Sequence, residues 1–192
     1  MLCSNEWFKA FEGFKNNPCV MGFLVEQACL SHISQTGFHH GDLDWESFAA
    51  TIFDNDIFQS IPLDWEGEQF FIPGNPYFKN VDALYLKVDS TEKTALIVPI
   101  QITIAKKHKD SETLFYSGWC DWEEHFQGYQ LSSTFVWIVE DEQSWRIVDA
   151  EFRSTRSGNK QVLPTHVQTF ITVNDLYPHL GNVLALVRMR LA

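Results

Sequence analysis

The stretch VDALYLKVDSTEKTALIVPIQITIA, from Val81 to Ala105, decides the fold. Val81 to Val88 is apolar apart from Asp82 and Lys87, and Ala95 to Ala105 is longer and rich in β-branched residues. Both compositions suit strands, with Asp89 to Thr94 as a polar turn between them. Pro99 lacks an N–H to donate, so its place in the second run predicts a bulge or an edge position.

Working outward, Gln69 to Pro73 reads as a short strand closed by the turn Gly74-Asn75-Pro76. Ser111 to Gln130 reads as a helical or mixed crossover, and Thr134 to Val139 as a buried strand. Ser144 to Arg153 and His166 to Val173 are further strand candidates, separated by a polar, mildly basic loop from Ser154 to Pro164. On the N-terminal side, Trp7, Phe8, Phe11 and Phe14 fall at helical spacing within Asn5 to Phe14. A second helix is predicted from Asn17-Pro18 to about Ile33, because Asn suits an N-cap and Pro the first helical position. Gly37 to Gly41 breaks the pattern, and a third helix is predicted after Asp44 with Trp45, Phe48, Ile52 and Phe53 on one side. A last helix is predicted from Asn174 or Leu180 to the end. Helices on both sides of a mixed central β-sheet make a three-layer α/β fold. The expected organisation is one domain, 1–192, with N-terminal helices at 5–57, a sheet core at about 68–173 and a C-terminal helix at about 174–192.

Hydrophobic residues make up 45% of the 192 residues, enough for a substantial core. The formal net charge of −11 argues against a general coat for phosphate backbones, which is usually basic. It leaves a metal-dependent nuclease open, because acidic groups gather where a cation binds. The four cysteines form no CxxC pair and no zinc pattern, so free thiols in a reducing compartment are expected. The N-terminus mixes Glu6, Lys9, Glu12 and Lys15 with its aromatics, unlike a secretory signal, and no apolar window has transmembrane length. A soluble, intracellular protein with no membrane partner is the expectation.

Four residues stand out against apolar surroundings. Asp82 opens a strand, where it either caps the strand or meets a cation or hydrogen bonds. Gln101 and Thr103 share a face of the next strand by the two-residue period, as a hydrogen-bonded polar pair or as part of a site. Glu26 has Gly22, Cys29, Leu30 and Ile33 at helical spacing, so it either reaches solvent or needs a partner. Phe38-His39-His40-Gly41-Asp42 reads as a polar loop before a helix more readily than as a metal site. Cys120 and His125 lack further ligands nearby, and Arg146, Arg153, Arg156 and Lys160 read as a solvated loop.

The order of a helical Glu, a strand that begins with Asp and a polar pair on the next strand resembles the restriction-endonuclease-like, PD-(D/E)XK, superfamily. The match narrows with Phe70-Phe71-Ile72-Pro73, Val81-Asp82-Ala83-Leu84-Tyr85, Gln101-Ile102-Thr103-Ile104, His108, and Thr134 to Val139 leading into Glu140 and Asp141. Together these resemble the C-terminal domain of Crinkler and RHS-type proteins, over roughly residues 17 to 175. The resemblance implies an Mg²⁺-dependent nuclease in which Glu26, Asp82 and Gln101 hold the metal. Gln101 stands where that family has its second acid, and Thr103 where it has a Lys, so the motif is eroded. Lys107 and His108, just past the strand, either substitute for the missing cation and base or belong with Lys106 and Lys109 to a solvated turn. The implied partners are DNA or RNA, a host protein or an NTPase domain, with action as an effector in a host nucleus. The alternative is a catalytically inactive pseudo-nuclease that serves as a protein- or nucleic-acid-interaction module.

Overall fold

A computed structural model describes residues 4–54, 56–75, 81–104, 111–144, 146 and 164–189. Helix α1 spans Ser4–Phe14 and α2 spans Pro18–Thr36. A small hairpin follows, β1 at Phe38–His40 and β2 at Leu43–Trp45. The main sheet comprises β3 (Thr51–Phe53), β4 (Gly67–Pro73), β5 (Ala83–Asp89), β6 (Thr94–Thr103), β7 (Gln130–Val139) and β8 (Val167–Thr172). Helices α3 (Ser111–Tyr116) and α4 (Trp119–His125) cross from β6 to β7, and α5 (Val173–Leu176) and α6 (Pro178–Met189) follow β8.

The six strands lie in the order β3-β4-β5-β6-β7-β8. Strands β4, β5 and β6 form an antiparallel meander, with Phe71 opposite Leu84 and Ala83 opposite Ile100. The turn between β5 and β6 is held by Asp89, whose Oδ1 accepts from the amides of Thr91 and Glu92. Strand β7 joins β6 in parallel, and β8 joins β7 in parallel. The short β3 adds in parallel to β4 at the other edge. Mixed pairing of this kind needs the crossover that α3 and α4 supply.

Two buried clusters place the layers. On one side Phe11, Met21, Val25, Ala28, Cys29 and Ile33 of the N-terminal helices pack with Tyr85, Val98, Ile100, Val136 and Leu180. On the other side Leu84, Leu86, Ile97, Phe135 and Trp137 pack with Phe115, Tyr116 and Trp122 of α3 and α4. The expected three-layer α/β architecture is the observed one.

Local signals explain the boundaries that hold. Asn17 is extended, and its Oδ1 accepts from the Val20 amide at 3.2 Å, capping α2 ahead of Pro18. Helix α2 runs on to Thr36, past the expected end at Ile33, and stops where Gly37 takes φ 82° and donates its N–H to the Ile33 carbonyl. A Cβ on Gly37 would lie 2.2 Å from the Trp45 carbonyl oxygen, which no rotation of a side chain relieves. Gly37→Ala is therefore expected to cost about 3 kcal/mol in a urea unfolding titration, from left-handed strain plus the clash.

Four expectations are corrected. No helix follows Asp44: Leu43–Trp45 and Thr51–Phe53 are strands, so the N-terminal helices end at Thr36 and the sheet begins at Thr51. The aromatic spacing reflects a stack, in which Trp45 lies between Phe38 at 4.6 Å and Tyr85 at 4.1 Å. His39 and His40 belong to the hairpin instead of a loop before a helix, and His39 Nδ1 pairs with the Asp44 carboxylate opposite it. Pro99 is neither at an edge nor in a bulge. It faces Leu84 in a central strand, and the β6–β7 ladder skips Val98 and Pro99 while keeping the same register on either side. The ladder omits the missing donor without inserting a residue. The strand expected to start at Ser144 begins instead with helical backbone from Glu142 to Ser144, and its remainder lies outside the described residues except Arg146.

Candidate functional site

A pocket opens where β5 begins and β6 ends, against α2. Its wall includes Glu26, Asp82 and the Gln101–Thr103 pair, three segments that the sequence places far apart. From α2 come Cys19, Gly22, Phe23 and Glu26. They recur at i, i+3, i+4 and i+7, so one helical face points at the cavity. Small Cys19 and Gly22 keep that wall open, while Met21, Val25 and Ala28 anchor the neighbouring face in the core.

Asp82 is the centre of the arrangement. Its Oδ2 accepts from the backbone amide of Ile102 at 2.6 Å and from Gln101 Nε2 at 2.7 Å. Its own amide donates to the Ile100 carbonyl at 2.8 Å, which fixes the carboxylate beside β6. Burial pushes the Asp82 carboxyl up to about 8; the nearby Glu26 carboxylate adds to the rise, and the Ile102 amide opposes it. Burial likewise raises Glu26, against a hydrogen bond from Gln27. Burial is the main cause at both groups, and a cation beside them would favour their charged forms. The Cys29 thiol, buried behind them, is held up by burial and then by Asp82 and Glu26, so it is no nucleophile.

The donor set fits a hard cation. Among the described residues Gln101 Oε1 is buried with no hydrogen-bond partner, while the Nε2 of the same amide holds Asp82. Carboxylate and amide oxygens are the ligands that Mg²⁺ selects. Glu26, Asp82 and Gln101 are the residues that would hold it. Among the described residues no three His, Cys, Asp or Glu side chains gather to hold a metal ion, in this pocket or elsewhere, so the set depends on the Gln101 amide oxygen.

Thr103 lines the same pocket, at the position expected to carry a Lys. Lys107 and His108 lie outside the described residues, as do the neighbouring Lys106 and Lys109. Cys120 is exposed and contacts Asp121, while His125 packs against Phe58 and Phe126; the two do not form a site.

Two features escaped the reading of the sequence. The first is Arg188, near the end of α6, which lines the pocket and forms a two-pronged pair with Glu140: Nε to Oε1 at 2.8 Å and Nη2 to Oε2 at 2.9 Å. The second is a buried polar cluster on the far side of the sheet. Glu112 of α3 receives His166 Nε2 on one oxygen and Gln168 Nε2 on the other. His166 Nδ1 donates to the Pro164 carbonyl at 2.7 Å, and its ring stacks on Tyr116 at 4.2 Å. Both imidazole nitrogens are committed, so this cluster clamps α3 to β8 and offers no free base.

No helix among the described residues is long and apolar enough to cross a membrane. No protein-family model matches the chain, and no curated protein or solved structure matches it significantly.

Proposed function

We propose that this chain is a restriction-endonuclease-like domain of the Crinkler and RHS type, whose Glu26–Asp82–Gln101 pocket serves Mg²⁺-dependent hydrolysis of a DNA or RNA phosphodiester. The observation that carries the reading is the meeting of Glu26, Asp82, Gln101 and Thr103 in one pocket. The helical acid, the Asp at a strand start and the polar pair on the next strand reach it in the order that underlies the resemblance. When bound, Mg²⁺ would polarise a phosphoryl oxygen and neutralise developing charge. The protein's own share is to hold Asp82 rigidly through Ile102 and Gln101, and to bring Glu26 in from α2.

A second reading, a pseudo-nuclease interaction module, is favoured by one specific pair of facts. Thr103 cannot supply the charge of a Lys, and the Gln101 amide brings no charge of its own. In that case the fold persists and a partner, such as a host protein or an NTPase domain, binds elsewhere on its surface. Either reading is compatible with an effector acting in a host nucleus.

The test is cleavage of labelled single- and double-stranded DNA and RNA by the purified protein with Mg²⁺ or Mn²⁺. Metal-dependent cutting that Asp82→Ala abolishes supports the hydrolase, with a loss of at least about 100-fold. Equal trace activity in wild type and variant sinks it and leaves the interaction module.

A further inference from the structure

We infer that Arg188 supplies the positive charge that Thr103 cannot, and that it binds the phosphate of an unpaired nucleic-acid strand whose base stacks on Phe23. This inference rests on reading the pocket as a phosphodiester site. Arg188 is the one cationic side chain lining the pocket among the described residues, and Glu26 and Asp82 line it too. A phosphodiester carries negative charge into a cavity that already holds two carboxylates, so its non-bridging oxygens need a cation of the protein's own. The fork to Glu140 uses two of the five guanidinium N–H groups and orients the plane; three donors lie outside the fork. Glu140 directly follows β7, so the fork ties α6 to the sheet and presents Arg188 from a fixed base.

Phe23 lines the same pocket one helical turn before Glu26, and it is 58% exposed. An exposed aromatic ring that shares a pocket with an arginine is a pairing suited to unpaired strands: the ring takes a base face and the guanidinium a phosphate. A base inside a duplex is already stacked and cannot offer that face, so single strands are the favoured class. The pocket, about 390 Å³, has room for a nucleotide-sized group.

The test is fluorescence anisotropy with labelled single strands of about 12 nucleotides, in DNA and RNA forms, and the matched DNA duplex, in Ca²⁺ to hold off cleavage. Wild type is expected to prefer the single strands. Arg188→Gln should weaken binding about tenfold or more and reduce the slope of log affinity against log salt by about one. Arg188→Lys should restore the slope, since it keeps the charge and loses only the fork. Phe23→Ala should weaken single-strand binding about tenfold and leave the duplex unchanged. A cooperative melting transition and an unchanged far-ultraviolet circular dichroism spectrum show that each variant folds, including Arg188→Gln, which loses the fork. Wild-type affinity and slope in Arg188→Gln, or no binding by wild type, overturn the role of Arg188, and indifference to Phe23→Ala overturns the unpaired strand. Calorimetric titration of wild type and Asp82→Ala with Ca²⁺ alone separates the two levels. Ca²⁺ binding lost in Asp82→Ala, together with strand binding indifferent to Arg188, sinks only this inference; no Ca²⁺ binding by wild type sinks the pocket reading beneath it.

Discussion

Glu112→Leu is expected to lower the free energy of unfolding by about 3–5 kcal/mol, the largest loss for any single substitution of a polar side chain here. The His166 side chain is fully buried and that of Glu112 is 4% exposed, so neither can turn to water when its partner goes. Removing the carboxylate strands His166 Nε2 and Gln168 Nε2 together, each at the cost of burying an unpaired polar group. Urea titration at neutral pH reads the effect directly. The double variant Glu112→Leu/His166→Phe should recover much of the loss, because both poles leave at once and the new ring can keep the stack on Tyr116. A single-variant loss under about 1 kcal/mol would mean that the cluster is not what clamps α3 to β8.

Asp82→Asn is expected to stabilise the metal-free protein at neutral and alkaline pH, by several kcal/mol above about pH 8. The sign follows from burial. The folded carboxyl titrates at about 8, above its ordinary value of 3.8, so ionisation is harder in the folded chain than in the unfolded one. Wild-type stability from this group is therefore fully present below about pH 4, falls as pH rises, and levels off above about pH 8. The variant lacks that titration, and the difference between the two melting curves should grow across the same window. Glu26, raised by burial as well, acts in the same direction in both proteins. Mg²⁺ should then raise the melting temperature of wild type at about pH 8 and leave the variant unmoved, since a ligand stabilises only the state that binds it. A difference curve that stays flat between about pH 4 and pH 9 would show that Asp82 is not held in an ion-poor cleft.

Periodicity and capping made much of the fold legible. Asn17-Pro18 marks the start of α2 through a cap that the structure contains, and the apolar runs mark β5, β6 and β7 because those strands are covered on both faces. The meeting of Asp82 with Gln101 was also legible, since a strand-opening acid and a polar position on the following strand become neighbours once the two pair antiparallel. Trp45 and Phe48 misled because aromatic residues at helical spacing are equally the members of a stack on Tyr85. Glu112 and His166 lie 54 residues apart, and Arg188 and Glu140 lie 48 apart, so no local pattern announces either pair. Those contacts arise from the parallel additions of β7 and β8, which bring distant segments together without a hairpin to signal the join.

The three-residue β3 has a consequence for self-association. It covers only Phe71 to Pro73 of β4, so the first half of β4 has no strand on its outer side among the described residues. That half opens with Gly67, carries Glu68 in an ion pair with Lys87, and spends the Gln69 side chain on the Ala49 carbonyl. A stub, a fixed charge and a strapped-down flank make poor templates for an incoming chain. Strand-to-strand pairing with a second copy is disfavoured at this margin.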